Sequence, residues 1–330
     1  MVGAHYGHLL VLTEDAMLRG VDLDSGDCVD LCSVSLPELG HSTQRFAAAQ
    51  YRLYASADGR YAAIVVDRGT EGVVVEVSTG RLTMHLNGGD YHADTVPFSA
   101  CFMRVQGRDV LVHRTEWNRL DVSDPASGEV LTERDIEAQP EHHLDYFHGR
   151  LLPSPDGSRL LDDGWVWHPV GIPRVWSVAD WLGGNVWESE DGPSAIDLTM
   201  REDWNIPACW IGNRHVALWG LASWDEDACE ESDAGPGVRI LDVTQRKPSA
   251  ERRLAMDLDP RQVIDLYSAG DHLYVTASSG TTVWNIVSGA QIAAYPGFIA
   301  WLHHSTRGSL IAIRPEAILE LAMPPVGAPA

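Results

Sequence analysis

A Ser-Gly or Thr-Gly step between two short apolar runs recurs along this chain and restricts what it can fold into. It occurs in VDLDSGDCVDL, VVEVSTGRLTMHL, LDVSDPASGEVLTER and WNIVSGAQIAAY, with the glycines at positions 26, 80, 128 and 289. The first two spacings are 54 and 48 residues, and the last, 161, corresponds to about three more units of the same size. Short apolar runs bounded by turn residues predict strands rather than helices. The sequence therefore predicts a repeated all-β architecture.

A second turn signal has the same period. SADG at 56–59 and SPDG at 154–157 lie 98 residues apart, which is two units of the repeat. The Asp-Gly step supplies the positive φ that a tight hairpin turn needs. Each of these stretches is therefore expected to join two antiparallel strands within one unit.

Seven units of four strands, a to d, fit this frame, and units of roughly 40–50 residues with four strands are typical of propeller blades. We predict a single β-propeller over 1–323 and a C-terminal tail over 324–330, with six or eight blades as alternatives. The first unit lacks strand a and the last lacks strand d. The predicted units are 1–36, 44–89, 97–140, 145–190, 206–258, 262–295 and 297–323.

Two of these stretches carry a family resemblance. SPDGSRLL and TVWNIVSG are similar to the repeat of WD40-like propellers, which runs from Ser-Pro-Asp-Gly to Trp-Asp and a closing Ser/Thr-Gly. The Trp-Asp pair stands here as Trp284-Asn285 and Trp176-Ser177, and the Gly-His of WD repeats is missing. The resemblance implies the propeller fold and carries no function.

Composition excludes several function classes. The 330 residues carry a formal charge of −23, which argues against nucleic acid and anionic membranes as partners. Lys247 is the one lysine among 24 basic residues, so Schiff-base and P-loop chemistry are disfavoured, and we interpret the arginine bias as bacterial-type genome composition. No signal peptide or long apolar run is seen. We expect a cytoplasmic, acidic, monomeric protein.

The long segments of the sequence fall on one face of the predicted propeller. The a–b and c–d turns are mostly short, whereas the b–c and d–a connections are long. Insertions that collect on one face mark the binding face of a repeat protein. The long connections are SVSLPELGHSTQRF, NGGDYHADTVPF, EAQPEHHLD, HPVGIP, EDGPSAIDLTMREDWNI and DEDACEESDAGPG.

Tryptophan narrows the predicted face further, because nine of the twelve lie between positions 165 and 224, in the fourth and fifth units. Trp176 and Trp284 occupy repeat positions and are predicted to be inter-blade core. Trp165 and Trp167 are two residues apart, so on a strand they share one face. The candidate binding residues are Trp165, Trp167, His168, Trp187, Glu188, Asp191 and Trp204.

The densest titratable stretch is EHHLDYFH. If residues 141–145 are extended, Glu141, His143 and Asp145 point to the same side and could hold a divalent metal or do acid–base work. A solvated polar loop is the alternative. No other cofactor is predicted, and no nucleophile elbow or dinucleotide fingerprint is found.

Two functional hypotheses follow. The first is a binding or scaffold module that docks a protein or peptide on the b–c and d–a face around blades 4 and 5. The alternative is an enzyme or small-molecule-binding protein with an aromatic, His- and carboxylate-lined pocket at the channel mouth, with or without the help of a bound metal. The absence of a recognisable catalytic motif favours the first, although enzymatic activity stays open.

Overall fold

The computed structural model describes residues 6–39, 49–167, 170–201, 204–221, 235–245 and 252–324. The strands form seven antiparallel sheets of three or four strands, taken in chain order, and the chain is a seven-bladed β-propeller. The predicted fold class is confirmed. No helix in the described ranges is long and apolar enough to cross a membrane.

Contacts divide the chain into two compact units. The first contains Met1–Pro153, Gly157–His168 and Trp176–Ala195, and the second contains Ser154–Asp156, Pro169–Val175 and Ile196–Ala330.

The first three sheets lie in the first unit. Sheet 1 has three strands, sheet 2 has four and sheet 3 has three. Their strands are β1 (Leu9–Leu12), β2 (Met17–Val21) and β3 (Cys28–Ser33); β4 (Gln50–Ala55), β5 (Tyr61–Asp67), β6 (Glu71–Glu76) and β7 (Arg81–Asn87); and β8 (Ala100–Val105), β9 (Arg108–Glu116) and β10 (Arg119–Ser123).

The remaining four sheets also follow one another in chain order. Sheets 4, 5 and 6 have four strands each, and sheet 7 has three. Their strands are β11 (Phe147–Pro153), β12 (Arg159–Val166), β13 (Val170–Ser177) and β14 (Ile196–Asp197); β15 (Ala208–Ile211), β16 (His215–Trp219), β17 (Gly237–Asp242) and β18 (Arg252–Ala255); β19 (Val263–Ala269), β20 (His272–Ala277), β21 (Gly280–Asn285) and β22 (Gln291–Pro296); and β23 (Leu302–His304), β24 (Ser309–Arg314) and β25 (Ala317–Ala322).

The repeated glycines have a common conformational role. Gly26, Gly80, Gly128 and Gly289 have φ values of 77°, 70°, 76° and 72°. In each case the glycine N–H donates to the carbonyl oxygen four residues earlier, at 2.8–2.9 Å. A side chain in this left-handed region costs about 1–2 kcal/mol, which favours glycine at these four turns between strands c and d. This turn is the physical origin of the sequence period.

Strand β5, in the centre of its sheet, is buried on both faces. In β5, Ala62 and Ile64 belong to a cluster with sheet 1, whereas Ala63 and Val65 belong to a cluster with sheet 3. Alternate residues of a strand point to opposite faces, so one apolar run serves two inter-sheet cores. Trp176 and Trp284 lie in cores of the same kind, as predicted.

The third sheet departs from the predicted four strands. Beyond β10, strand d is reduced to a single bridge between Ser123 and Val130. The backbone N–H of Val122 donates instead to Oγ1 of Thr132 at 2.9 Å. A side chain therefore satisfies a group that a longer fourth strand would have paired.

The stretch after β13 also differs from a strand. It forms two short helices, α1 (Val178–Gly183) and α2 (Glu188–Asp191), before the fourth sheet ends with β14. Oγ of Ser177 accepts a hydrogen bond from the Asp180 backbone N–H and caps α1. Ser-x-x-Asp before an apolar run is a helix-start signal, which the strand interpretation did not use.

The burial of two cysteines, Cys28 and Cys32, differs in part from the sequence prediction. Cys28 and Cys32 lie four residues apart in a strand-like run, and this spacing predicts small buried side chains on one face of the strand. Cys32 is half-buried, but Cys28 is exposed on β3. β3 is an outer strand of its sheet, so one side of it faces solvent.

Candidate functional site

Three aromatic rings of the fourth sheet meet at one end of the sheet. Phe147 begins β11, and the strand register places it opposite Trp165 near the end of β12. Their rings stack with centroids 4.3 Å apart and planes 12° apart. The Trp167 ring meets that of Trp165 edge to face at 5.1 Å. This is the end of the sheet where strand a begins and strand b ends.

Rings from the neighbouring sheets join this group. Tyr91 and His92 lie between β7 and β8, and Trp117 lies in the turn between β9 and β10. The centroid distances are 4.6 Å from Trp117 to Phe147, 5.7 Å from Tyr91 to Phe147 and 4.9 Å from His92 to Trp167. With His143, whose ring lies 6.2 Å from that of Trp117, these residues form the aromatic patch. Its members are Tyr91, His92, Trp117, His143, Phe147, Trp165 and Trp167.

The aromatic patch has a buried floor and an exposed rim. Phe147 is 1% exposed and Trp165 is 2% exposed, whereas Trp167 is 41% exposed and Tyr91 is 46% exposed. Large exposed aromatic side chains that are held by buried ones can offer apolar area to a ligand at low entropic cost.

Hydrogen bonds hold the segments that carry the patch. Nδ2 of Asn118, next to Trp117, donates to the Leu144 carbonyl at 2.9 Å. Oγ1 of Thr95 donates to the His92 carbonyl at 2.7 Å. His92 also has a positive φ of 50°, which is unusual for a residue with a side chain. Strain of this kind recurs at functional sites.

A buried arginine lies beside the segment that leads to Tyr91, because the Cβ position of Gly88 is 2.5 Å from Nε of Arg114. Arg114 is 1% exposed, and its Nη2 donates to the Gly69 carbonyl at 2.8 Å. Its guanidinium carbon lies 4.9 Å from the Phe98 ring centroid. Burial lowers the pKa of Arg114 to about 10.

The predicted residue Trp187 lies in a separate stack. The His142 ring is parallel to the Trp187 ring, with centroids 4.3 Å apart and planes 13° apart. The guanidinium carbon of Arg134 lies 5.7 Å from the centroid of the Trp187 ring. Nδ1 of His142 contacts Oδ2 of Asp191 at 2.9 Å. Trp187 and Asp191 thus both contact His142, which is not among the predicted binding residues.

The predicted residue Glu188 is committed within the fold. It is fully buried, and its carboxylate accepts hydrogen bonds from the Ser194 backbone N–H at 2.8 Å and from Nδ2 of Asn185 at 2.6 Å. These contacts close the turn around α2. A carboxylate held in this way is poorly placed for acid–base exchange with a ligand.

The predicted metal set has a different local geometry from the one assumed. Pro140–His142 form a short 3-10 helix, so the segment that contains Glu141 is not extended. Glu141, His143 and Asp145 are exposed. Among the described residues, one group of three brings candidate ligand atoms within 4.8 Å of one another, and it consists of His8, Asp22 and Asp24.

The two other predicted residues are His168 and Trp204. His168 lies outside the described residues. Trp204 is half-buried in the second unit, ahead of β15. Of the seven predicted binding residues, the structure brings Trp165 and Trp167 into the aromatic patch, and Trp187 and Asp191 into the stack with His142.

A separate cleft of about 350 Å³ lies in the first unit. It is lined by residues 35–37 after β3 and by β6 and β7, including Glu71, Leu82 and His85. None of the predicted site residues lines it.

Comparisons with known proteins agree with the fold. No protein-family model matches the chain, and no curated protein matches it significantly. A solved structure of Kuenenia stuttgartiensis hydrazine synthase is similar with a TM-score of 0.58 at 12% identity, covering 98% of this chain and 97% of that chain. The Cps50 (Swd1) β-propeller domain of Myceliophteria thermophila is similar with a TM-score of 0.52 at 11% identity, covering 97% and 96%.

These similarities define the class of the fold. The chain has a WD40-like β-propeller fold, as its repeats predicted. At 11 and 12% identity the likenesses show the fold alone.

Proposed function

We propose that this chain is a binding module that docks a protein or peptide segment on the aromatic patch. One observation carries the proposal: rings from three successive sheets form a continuous network whose outer members are exposed. Aromatic residues dominate the binding energy of many protein interfaces when they sit in a well-packed cluster.

The position of the aromatic patch supports the same proposal. Its members come from b–c turns, from d–a connections and from the adjoining strand ends, which is the face where the sequence concentrates its insertions. The patch is centred on sheets 2 to 4, rather than on the predicted blades 4 and 5. A propeller fold is commonly a scaffold for protein interactions, which fits this use.

The alternative enzymatic function has less support. Its acid–base candidates included Glu188, whose carboxylate is buried and hydrogen-bonded within its own turn. Asp191, the other candidate acid, contacts His142.

Peptide display tests the proposal directly. A library of random linear peptides is selected on the full chain and counter-selected on a Tyr91→Ala/Trp167→Ala variant. We expect peptides whose affinity for the variant is lower by at least about tenfold, because truncating a central aromatic residue commonly costs 2 kcal/mol or more, about a thirtyfold loss of affinity.

The matched control is Leu82→Ala, which removes an apolar side chain of similar exposure, 42%, from β7 in the same unit. Selected peptides should bind this variant as they bind the unmodified chain. A selection that yields no peptide dependent on Tyr91 and Trp167 would overturn the proposal.

A further inference from the structure

The aromatic patch is surrounded by exposed carboxylates. Asp90 precedes Tyr91 in the sequence, and Glu116 precedes Trp117. The position that a Cβ on Gly89 would take is 2.5 Å from Oε2 of Glu116, so this carboxylate lies directly against the loop that carries Tyr91. Two more exposed carboxylates, Glu141 and Asp145, flank His143.

The arginines in the same segments are already engaged. Arg114 is buried, at 1% exposure. Nε of Arg119 is paired with Oδ2 of Asp121 at 2.9 Å, and Asp121 is 2% exposed. Among the described residues of the segments that carry the patch, the exposed formal charges are therefore negative.

Ring faces in this chain already accept guanidinium groups. Arg134 lies over Trp187 at 5.7 Å, Arg60 over Tyr61 at 5.2 Å, and Arg114 over Phe98 at 4.9 Å. The π face of an aromatic ring is negative, so it attracts a cation, by about 0.5–1 kcal/mol at an exposed site and more when water is excluded. Tyr91 and Trp167 offer such rings at the patch.

From these observations we infer that the aromatic patch recognises a cationic side chain, arginine or lysine, in the segment that it docks. The inference rests on the proposed function and adds the chemistry of its ligand. The carboxylates attract the cation from a distance, and the rings hold it by contact. The net charge of −23 also favours the approach of a basic partner.

Three synthetic nonapeptides of glycine and serine test the inference, carrying three arginines, three citrullines or three glutamates. Citrulline keeps the shape of arginine and removes its charge. Isothermal titration calorimetry at low and moderate salt should give an arginine peptide that binds at least about tenfold more tightly than the citrulline peptide, and a glutamate peptide that does not bind.

Two charge variants separate local recognition from general attraction. Glu116→Gln/Asp145→Asn removes two carboxylates at the patch, and Asp27→Asn/Glu129→Gln removes two exposed carboxylates from c–d turns at the opposite ends of their sheets. The first pair should weaken the arginine peptide by about threefold or more and leave the citrulline peptide unchanged. The second pair should change neither.

Each contrary result has a distinct meaning. Equal affinity for arginine and citrulline peptides, both lost in Tyr91→Ala/Trp167→Ala, would overturn the cation inference and leave the docking proposal standing. Equal weakening by the two charge variants would overturn the inference in favour of general attraction to an acidic surface. Arginine-peptide binding that ignores Tyr91 and Trp167 would also overturn it, and the display selection then decides the docking proposal by itself.

Discussion

Nδ1 of His148 lies 2.5 Å from Oδ2 of Asp162, and both side chains are fully buried in the fourth sheet. The other carboxylate oxygen, Oδ1, accepts the backbone N–H of Gly149 at 2.8 Å. Asp162 thus satisfies two donors that have no access to water. Among the described residues, Nε2 of His148 has no hydrogen-bond partner, so the histidine depends on Asp162 for its one side-chain hydrogen bond.

We expect Asp162→Ala to lower the free energy of unfolding by about 3–5 kcal/mol, because it leaves both donors buried and unpaired. Urea denaturation monitored by circular dichroism measures this. The matched control is Asp197→Ala, which removes a 51% exposed carboxylate that pairs with Arg174. It should cost no more than about 1 kcal/mol. Equal losses of unfolding free energy in the two variants would contradict the larger contribution expected from the buried pair.

The floor and the rim of the aromatic patch should respond differently to truncation. Phe147→Ala removes a fully buried ring and should cost about 3–5 kcal/mol of unfolding free energy. Trp167→Ala removes a ring that is 41% exposed and should cost no more than about 1 kcal/mol. Denaturation of both variants checks this. A large loss in Trp167→Ala would indicate that the rim serves stability rather than binding.

The fold should be sensitive to any side chain at Gly88, because Arg114 lies against this position. A Cβ at this position would lie 2.5 Å from Nε of Arg114, whose side chain is buried, and 3.0 Å from the Phe98 ring. Gly88→Ala should therefore destabilise the fold by about 1–3 kcal/mol. Gly183, at the end of α1, has open space around its Cβ position, so Gly183→Ala should be neutral or slightly stabilising. Thermal unfolding of the two variants distinguishes them, and similar melting temperatures would contradict the steric explanation.

One ion pair should make stability depend on acid pH. Hydrogen bonds from Arg307 and Ser309 lower the pKa of Glu320 from 4.5 to about 2. A lowered pKa in the folded state gives stability above the unfolded pKa, and that stability is lost as the pH falls through the folded value. The unfolding free energy of the unmodified chain should therefore exceed that of Glu320→Gln at pH 6, and the difference should shrink between about pH 4.5 and pH 2. A constant difference over that range would refute the assignment.

The sequence predicted those parts of the fold that depend on short turn motifs. The glycines at 26, 80, 128 and 289 and the Asp-Gly turns are read from short stretches, because a tight turn needs a positive φ whatever surrounds it. Residues 178–191 were misread because α1 stands where the repeat suggested a strand. Trp181 of this segment is buried in the same core cluster as Leu120 and Val122 of the third sheet, and that burial is not visible in the local pattern.

The candidate site was predicted in part, for a similar reason. Trp165 and Trp167 stood out because they are two residues apart on one strand. Tyr91 and Trp117 belong to other repeats, and only the packing of sheets 2, 3 and 4 brings their rings to Phe147. The loop of Tyr91 stands out in the sequence as an insertion, but its aromatic partners depend on contacts between residues far apart in the sequence.

The long-range ion pair at Arg134 has a consequence for the order in which the chain folds. Arg134 is buried between Asp121 of the third sheet and Glu190 of α2, and Glu190 follows it by 56 residues. During synthesis, the third sheet can emerge from the ribosome well before α2 does. We therefore expect nascent chains that end before Glu190 to leave Arg134 sharing Asp121 with Arg119, without its second carboxylate, and to hold this sheet loosely until the helix arrives.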